Sequence, residues 1–194
     1  SSEDILSDNN ENQGGGSFTG GGNQTNPELI VELISTYNNQ TASFATQFGG
    51  YMRNFIVHTP PNFDYQTESL PLLFVLHGYT GRASSMRAYS GFDQIADQER
   101  FIVVYVQGTT DQFGNTGWNV NVVASFLVVD DVGFFKALIK YFKASYNIDS
   151  NKIFSSGMSL GGFMSYRLAC ELEEINSIGS VTGSMAGYYQ CNPP

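Results

Sequence analysis

Residues 152 to 170, KIFSSGMSLGGFMSYRLAC, carry the most informative structural pattern in the sequence. It runs from β-branched and aromatic residues through a glycine cluster around Ser159 into a helix-like pattern. Residues 157 to 161 have the order Gly-x-Ser-x-Gly, which between a strand and a helix is typical of a nucleophile elbow, a strained turn that lifts a serine out of a sheet. We therefore predict that Ser159 is a catalytic nucleophile. The alternative is a glycine-rich turn in which the serine only caps a helix.

Outward from this turn, apolar runs of strand length alternate with segments of helical period. The predicted strands are RNFIVHTP (53–60), LPLLFVLHG (70–78), FIVVYVQG (101–108), KIFSS (152–156) and SIGSVTGSM (177–185). The predicted helices are 83–98, which has the weaker pattern, 128–146 and 162–172. Such alternation implies an α/β fold in which a mostly parallel sheet is covered by helices on both faces, a three-layer sandwich.

The segment from 128 to 146 carries the clearest helical pattern. Its apolar stripe consists of Val132, Phe135, Leu138, Ile139 and Phe142. Asp130 and Asp131 stand at its start, where the helix dipole favours negative charge. We expect this helix to pack its stripe against the sheet.

Composition limits the partners of the chain. Its 194 residues are 41% hydrophobic, which predicts a globular domain, and they carry a formal net charge of −9. Phosphate backbones and anionic membranes have little to bind on such a surface, so we expect no nucleic-acid partner. No apolar run reaches the roughly 18 to 20 residues that span a bilayer.

The first 28 residues differ from the rest. They are rich in Gly, Asn, Gln and Ser, a composition typical of flexible tethers, so we predict a linker over 1–28 and the globular domain over 29–194. The acidic start SSED before a glycine-rich tether resembles the mature end of bacterial surface lipoproteins. This favours a secreted or cell-surface location, with a lipid anchor upstream of residue 1 as one possibility.

Two cysteines, Cys170 and Cys191, can either close a disulfide loop or remain unpaired small hydrophobes. The chain has no Cys-x-x-Cys pair and no His/Cys cluster with metal-ligand spacing. We expect no metal and no other cofactor.

A second glycine loop, LHGYTG at residues 76 to 81, follows a predicted buried strand. In a hydrolase with a nucleophile elbow, this position supplies one oxyanion donor and the residue after the nucleophile supplies the other. We therefore predict the backbone N–H groups of Tyr79 and Leu160 as the donors, with Thr80 as an alternative to Tyr79. The alternative for the whole loop is a plain strand-to-loop turn. His77 is interpreted as structural, because its side chain can hold the loop by hydrogen bonds.

Residues from about 49 to 194 resemble the polyhydroxybutyrate depolymerase and feruloyl esterase group of secreted α/β-hydrolases. The resemblance rests on RNFIVHTPPNFD (53–64), LPLLFVLHGYTG (70–81), GNTGWN (114–119), VDDVGFFKALI (129–139) and IDSNKIFSSGMSLGGFMSYRLACE (148–171). It implies an α/β-hydrolase that cleaves carboxylic esters through an acyl-enzyme. The implied substrates are polymeric or aryl esters, namely polyhydroxyalkanoates or hydroxycinnamoyl esters of plant polysaccharide, and the acyl and alcohol specificity stays open.

Two further features lie beside the expected site. The family usually carries Asn where this chain has Leu160, a change that leaves the backbone amide in place. Trp118 and Asn119 can line the substrate rim, or they can be a buried aromatic and a turn residue.

The catalytic base is missing from its expected place. In this fold the nucleophile is followed along the chain by an acid and then by a histidine. The 35 residues after Ser159 contain no Asp and no His, only three glutamates on or just past the next helix, and His58 lies on an early strand. We therefore expect this chain to be the N-terminal part of the domain, incomplete at its C-terminus, with an exposed sheet edge and little or no esterase turnover.

Two other classes of function remain open. One is a serine peptidase similar to prolyl oligopeptidase, which shares the elbow but attacks amides. The other is a noncatalytic secreted module that binds polysaccharide through an aromatic-rich surface. Activity on esters and on peptides, and the sequence of any downstream segment, distinguish these alternatives.

Overall fold

The computed structural model describes residues 29–121, 126, 128–185 and 191. The linker predicted for residues 1 to 28 lies outside this range. Within it, the strands are β1 (Val31–Asn38), β2 (Thr41–Phe48), β3 (Tyr51–His58), β4 (Leu70–Leu76), β5 (Ile102–Val106), β6 (Thr109–Thr110), β7 (Thr116–Gly117), β8 (Ile148–Met158) and β9 (Ser177–Val181). The helices are α1 (Ala83–Ser90), α2 (Phe92–Glu99), α3 (Asp131–Ser145) and α4 (Leu160–Glu171).

Among the described residues, seven strands form one sheet in the order β1-β2-β3-β5-β4-β8-β9. The strands β5, β4, β8 and β9 pair in parallel, and β1, β2, β3 and β5 pair antiparallel. The predicted α/β sheet is confirmed, but the antiparallel part makes it more mixed than expected. Strands β1 and β2 were not predicted at all.

Helices cover both faces of the sheet. Successive side chains of a strand point to opposite faces, and the central strands are apolar at successive positions, so both faces must be covered. One core contains Phe74, Leu76 and Val104 with residues of α3 and α4. The other contains Val75, Val103 and Tyr105 with residues of α1 and α2. Leu72, Phe74, Leu76 and Val104 are each fully buried, so the central strands read as continuous apolar runs because neither face meets water.

The single helix that the weak pattern over 83–98 predicts is two short helices in the structure, α1 and α2. Gly91, with φ 68°, ends α1 in the left-handed conformation and directly precedes α2. A residue with no Cβ adopts this conformation without steric cost, which lets the chain turn sharply there.

The carboxyl ends of β4, β5 and β8 lie at the same edge of the sheet because these strands are parallel. The loop after β4, the small hairpin β6–β7 after β5, and Ser159 after β8 therefore meet at this edge. No helix in the described part of the chain is long and apolar enough to cross a bilayer.

Candidate active site

Ser159 stands between β8 and α4, at the turn that the sequence predicts. Its backbone angles are φ 51° and ψ −119°, a region that is essentially reserved for glycine. Its N–H donates to the carbonyl of Val181 at 2.8 Å, which ties the turn to the end of β9. The residue is exposed, so its hydroxyl is open to a ligand. The strand, strained turn and helix of an elbow are all present.

Close backbone approach explains the two flanking glycines. A Cβ atom on Gly157 would clash with the carbonyl oxygen of Gly161. A Cβ atom on Gly161 would clash with the carbonyl of Leu76 and lie 2.7 Å from the carbonyl oxygen of His77. Glycine at 157 therefore lets the turn fold back on itself, and glycine at 161 lets the elbow lie this close to the end of β4.

The loop after β4 lies directly against the elbow. A Cβ atom on Gly78 would lie 3.4 Å from the Cβ of Ser159. The N–H of Thr80 donates to the carbonyl of Thr116 at 2.8 Å, so Thr80 is not available as an oxyanion donor. In the part of the chain that the structure describes, no hydrogen bond occupies the N–H of Tyr79 or of Leu160. The two predicted donors thus remain free to bind a ligand oxygen, and their role stays a prediction.

His77 holds this loop by hydrogen bonds, which is the structural role that the sequence predicts. Gly108 N–H donates to its Nε2 at 2.9 Å, which leaves the proton on Nδ1, where it is donated to the Gly78 carbonyl at 2.7 Å. Burial lowers the pKa of His77, against the opposing effect of the bond to Gly78. The ring is 1% exposed and both nitrogens are engaged, so His77 cannot take a proton from Ser159.

The hairpin β6–β7 clamps the same loop from the side. The hydroxyl of Thr116 donates to the carbonyl of Gly81 at 2.5 Å, and the hydroxyl of Tyr79 donates to Asp111 at 3.1 Å. Asp111 also accepts the backbone N–H groups of Phe113 and Asn115. Burial acts to raise the pKa of Asp111, but these donors outweigh it and hold the pKa below its ordinary value. The carboxylate therefore joins the hairpin to the Tyr79 side chain.

Trp118 and Asn119 do not line an open rim in this structure. Trp118 is fully buried, and its indole N–H donates to the carbonyl of His77 at 2.8 Å. Asn119 is 6% exposed, with its backbone N–H donating to Asp131 and its side-chain amide to the carbonyl of Val129. Both brace the segment that carries the hairpin, which agrees with the alternative of a buried aromatic and a turn residue, and a substrate-contacting role for them stays a prediction.

His58 lies at the opposite edge of the sheet, at the end of β3 and beside Val103 at the start of β5. Its Nε2 lies 3.0 Å from Asp97 Oδ1 and its Nδ1 lies 2.8 Å from the Thr41 hydroxyl. This position keeps His58 away from Ser159, as its place on an early strand of the sequence predicts.

Cys170 and Cys191 form a disulfide, one of the two alternatives that the sequence allows. It joins α4, the helix that begins at the elbow, to the segment beyond β9. Among the described residues, no group of three or more His, Cys, Asp or Glu side chains is placed to hold a metal ion.

Sequence reasoning did not find Asp111 or Thr116. Asp111 follows β6 and Thr116 begins β7, and these strands of two residues each are too short for a periodic pattern. Their partners in the loop after β4 lie 32 and 35 residues earlier in the chain. The one signal was the Asp-x-x-Gly-Asn run at 111–115, which is typical of a turn closed by an aspartate.

Comparison with known proteins finds several curated esterases. The chain is 25% identical over 175 residues to the bifunctional acetylxylan esterase/xylanase XynS20E of Neocallimastix patriciarum, which covers 90% of this chain and 22% of that protein. It is 30% identical over 123 residues to feruloyl esterase B of Piromyces equi, covering 63% of this chain and 22% of that protein. It is 26% identical over 171 residues to poly(3-hydroxyalkanoate) depolymerase C of Paucimonas lemoignei, covering 84% of this chain and 38% of that protein. The chain thus spans well under half the length of these relatives.

A solved structure of similar fold is the acetyl xylan esterase from Aspergillus awamori. It superposes with a TM-score of 0.57 at 18% identity, over 84% of this chain and 56% of that one. No protein-family model matches the chain. At this identity, the structural likeness supports the fold alone.

Proposed function

Because this chain is an α/β-hydrolase similar to acetylxylan esterases, feruloyl esterases and a polyhydroxyalkanoate depolymerase, we propose that it carries the nucleophile and oxyanion site of a serine carboxylic-ester hydrolase. One observation carries the proposal. Ser159 is exposed on a strained turn whose backbone angles only glycine adopts freely, beside two N–H groups that make no hydrogen bond within the described part of the chain. Strain of this kind persists where the surrounding structure imposes it, and it is concentrated at functional sites.

In the proposed reaction, Ser159 Oγ attacks the ester carbonyl carbon and the carbonyl oxygen becomes an oxyanion. The N–H groups of Tyr79 and Leu160 hold that oxygen, with the positive end of α4 behind them. Collapse expels the alcohol and leaves an acyl group on Ser159, which water then removes. Each oxyanion donor of this type contributes about 10²- to 10³-fold in kcat in well-studied hydrolases.

Both deprotonation of Ser159 and hydrolysis of the acyl-enzyme need a base. The chain has two histidines, and neither can serve, since His77 is fully engaged under the loop and His58 lies at the other edge of the sheet. We propose that a histidine and its carboxylate from outside these 194 residues complete the site. The 194-residue chain alone is then expected to retain at most roughly 10³- to 10⁴-fold catalysis over water.

Acylation of Ser159 tests the nucleophile separately from turnover. We expect slow acetylation of the chain by p-nitrophenyl acetate, mapped by mass spectrometry to the peptide with Ser159, with little release of acetate because no base activates water. Added imidazole is a diffusible base, so it should accelerate the reaction of the wild-type chain more than that of Ser159→Ala. The matched control is Ser156→Ala, a serine on the strand just before the elbow.

Equal labelling of Ser159→Ala and the wild-type chain would reject Ser159 as the nucleophile. Turnover of p-nitrophenyl acetate or methyl ferulate at ordinary esterase rates, lost in Ser159→Ala, would instead refute the proposal that these 194 residues lack the catalytic base. The two results are distinguishable because one concerns the site of acylation and the other concerns the deacylation step.

For substrate, we propose the ester bonds of a polymer, either acylated plant polysaccharide or polyhydroxyalkanoate, since the named relatives act on these classes. We also propose a secreted or cell-surface location. The disulfide between Cys170 and Cys191 supports it, because such bonds form and persist in oxidising compartments. The tether over 1–28 and the lipid anchor remain part of this proposal, supported by composition only.

A further inference from the structure

A second concave site lies on the face of the sheet that α1 and α2 cover, away from the elbow. It is a cavity of about 260 Å³. The floor is Ile56 on β3, and one rim is Tyr37 on β1. The remaining wall comes from α1 and the start of α2: Ser84, Arg87, Ala88, Gly91, Asp93 and Gln94. We call this the α1–α2 groove.

We propose that the α1–α2 groove binds a single neutral sugar ring of a polysaccharide chain. The reaction at Ser159 does not use it, and only the choice of plant polysaccharide as the source rests on the proposed function. The volume lies just below the roughly 300 to 1,000 Å³ typical of pockets for drug-sized ligands, which suits one pyranose ring.

The polar groups of the groove are held in place before any ligand arrives. Arg87 Nε donates to Asp93 Oδ2 at 2.6 Å, and Tyr105 donates its hydroxyl to Asp93 Oδ1 at 2.7 Å. Arg87 Nη2 also donates to Thr41 at 3.3 Å. Fixed side chains lose little conformational freedom on binding, so weak polar contacts can still give net affinity.

The charges in the groove select a neutral ligand rich in hydroxyls. Arg87 and Asp93 neutralise each other, so neither an anion nor a cation meets an unbalanced charge. A carboxylate has about four lone-pair sites and a guanidinium five N–H groups, which leaves both free to bond adjacent hydroxyls. Ser84 and Gln94 add groups that can donate and accept. Vicinal sugar hydroxyls, which do both, match this arrangement.

Tyr37 supplies the apolar surface that a pyranose also needs. It is 53% exposed although it lines the cavity, and the Arg87 guanidinium lies 5.2 Å from its ring centroid. An aromatic ring is a large, rigid contact surface with few rotatable bonds. The C–H face of a sugar can pack on it while the hydroxyls reach Arg87 and Asp93.

The test is an NMR titration of the ¹⁵N-labelled chain with xylotetraose. We expect fast-exchange shifts at Tyr37, Gly91 and Gln94 with a Kd on the order of millimolar, a weak affinity typical of one ring. Tyr37→Ala should weaken binding about 10-fold or more, and Tyr37→Phe should retain it, since the ring face carries the contact. Tyr65→Ala is the matched control, because Tyr65 is 48% exposed outside the groove. Inorganic phosphate should cause no shifts at the groove.

Absence of shifts at the groove, or equal weakening by Tyr37→Ala and Tyr65→Ala, would overturn the proposal. Shifts confined to residues around Ser159 would also overturn it, because they would place the sugar at the ester site. Groove binding should be unchanged in Ser159→Ala. If acylation of Ser159 fails while groove binding holds, only the proposed esterase function falls.

Discussion

At the scale of single residues, Ser159 differs from every other serine of the described chain in its backbone. Its φ of 51° with ψ of −119° lies in a region that glycine alone enters readily, and non-glycine residues held there cost about 1 to 3 kcal/mol. The sequence predicted this turn because glycines at 157 and 161 flank it. It also predicted a structural His77 that holds the neighbouring loop, but not Gly108 as a hydrogen-bond partner of its ring, because Gly108 lies 31 residues further along the chain.

The strain at Ser159 predicts that glycine is more stabilising than alanine at this position, the reverse of their order at an ordinary helical position. Ser159→Gly should be more stable than Ser159→Ala by about 1 kcal/mol or more, since glycine relieves the strained φ and ψ. Ser85 is an exposed helical control, where glycine should instead be about 1 kcal/mol less stable than alanine. Urea denaturation of the four variants measures both differences. The same sign at both positions would mean that the elbow is not strained.

At the scale of elements, the sequence predicts best where burial is complete. Strands β4 and β5 appear in the sequence as continuous apolar runs because both faces of the sheet are covered there. Helix α3 appears as an apolar stripe because only one of its faces packs on the core. Strand β1 has seven exposed residues of eight, so no burial pattern marks it. Each strand of the hairpin β6–β7 has two residues, and the hairpin is held by hydrogen bonds to the loop after β4. These bonds join residues distant in the sequence, so no local pattern predicts them.

Because the hairpin is bonded to the loop after β4, we predict that Asp111 fixes the position of Tyr79 and of its backbone N–H in that loop. Asp111→Ala removes the acceptor for two backbone N–H groups and the Tyr79 hydroxyl, so the free energy of unfolding should fall by about 1 to 3 kcal/mol. Acylation of Ser159 should also slow, because the Tyr79 N–H loses its fixed position. Asp149→Ala is the control, since Asp149 accepts the N–H of Asn151 at the start of β8, at the opposite end of this strand from Ser159. Unchanged acylation in Asp111→Ala, beside a loss of stability, would limit the hairpin to a structural role.

At the scale of the whole molecule, the edge of the sheet that carries Ser159 is built around a buried neutral histidine. His77 connects β4, the loop to Tyr79 and the start of the hairpin, while Trp118 caps its carbonyl. The apolar layers form the core of the domain, but this polar centre aligns three separate loops through hydrogen bonds. Its protonation therefore affects all three together.

Stability should consequently fall when the chain is moved from neutral to mildly acidic pH. Burial lowers the pKa of His77 in the folded chain, so the unfolded chain binds the proton first. The neutral form contributes its full stability above the unfolded pKa of about 6.5, and this contribution is lost as the pH falls toward the folded pKa. The slope approaches about 1.4 kcal/mol per pH unit for one proton.

Urea denaturation between pH 7.5 and pH 5 measures this slope, above the range where the carboxylates titrate. His77→Gln should be less stable at pH 7.5 yet lose most of this slope, whereas Leu168→Ala, a core truncation, should be less stable and keep it. A slope that survives in His77→Gln would assign the pH dependence to another group.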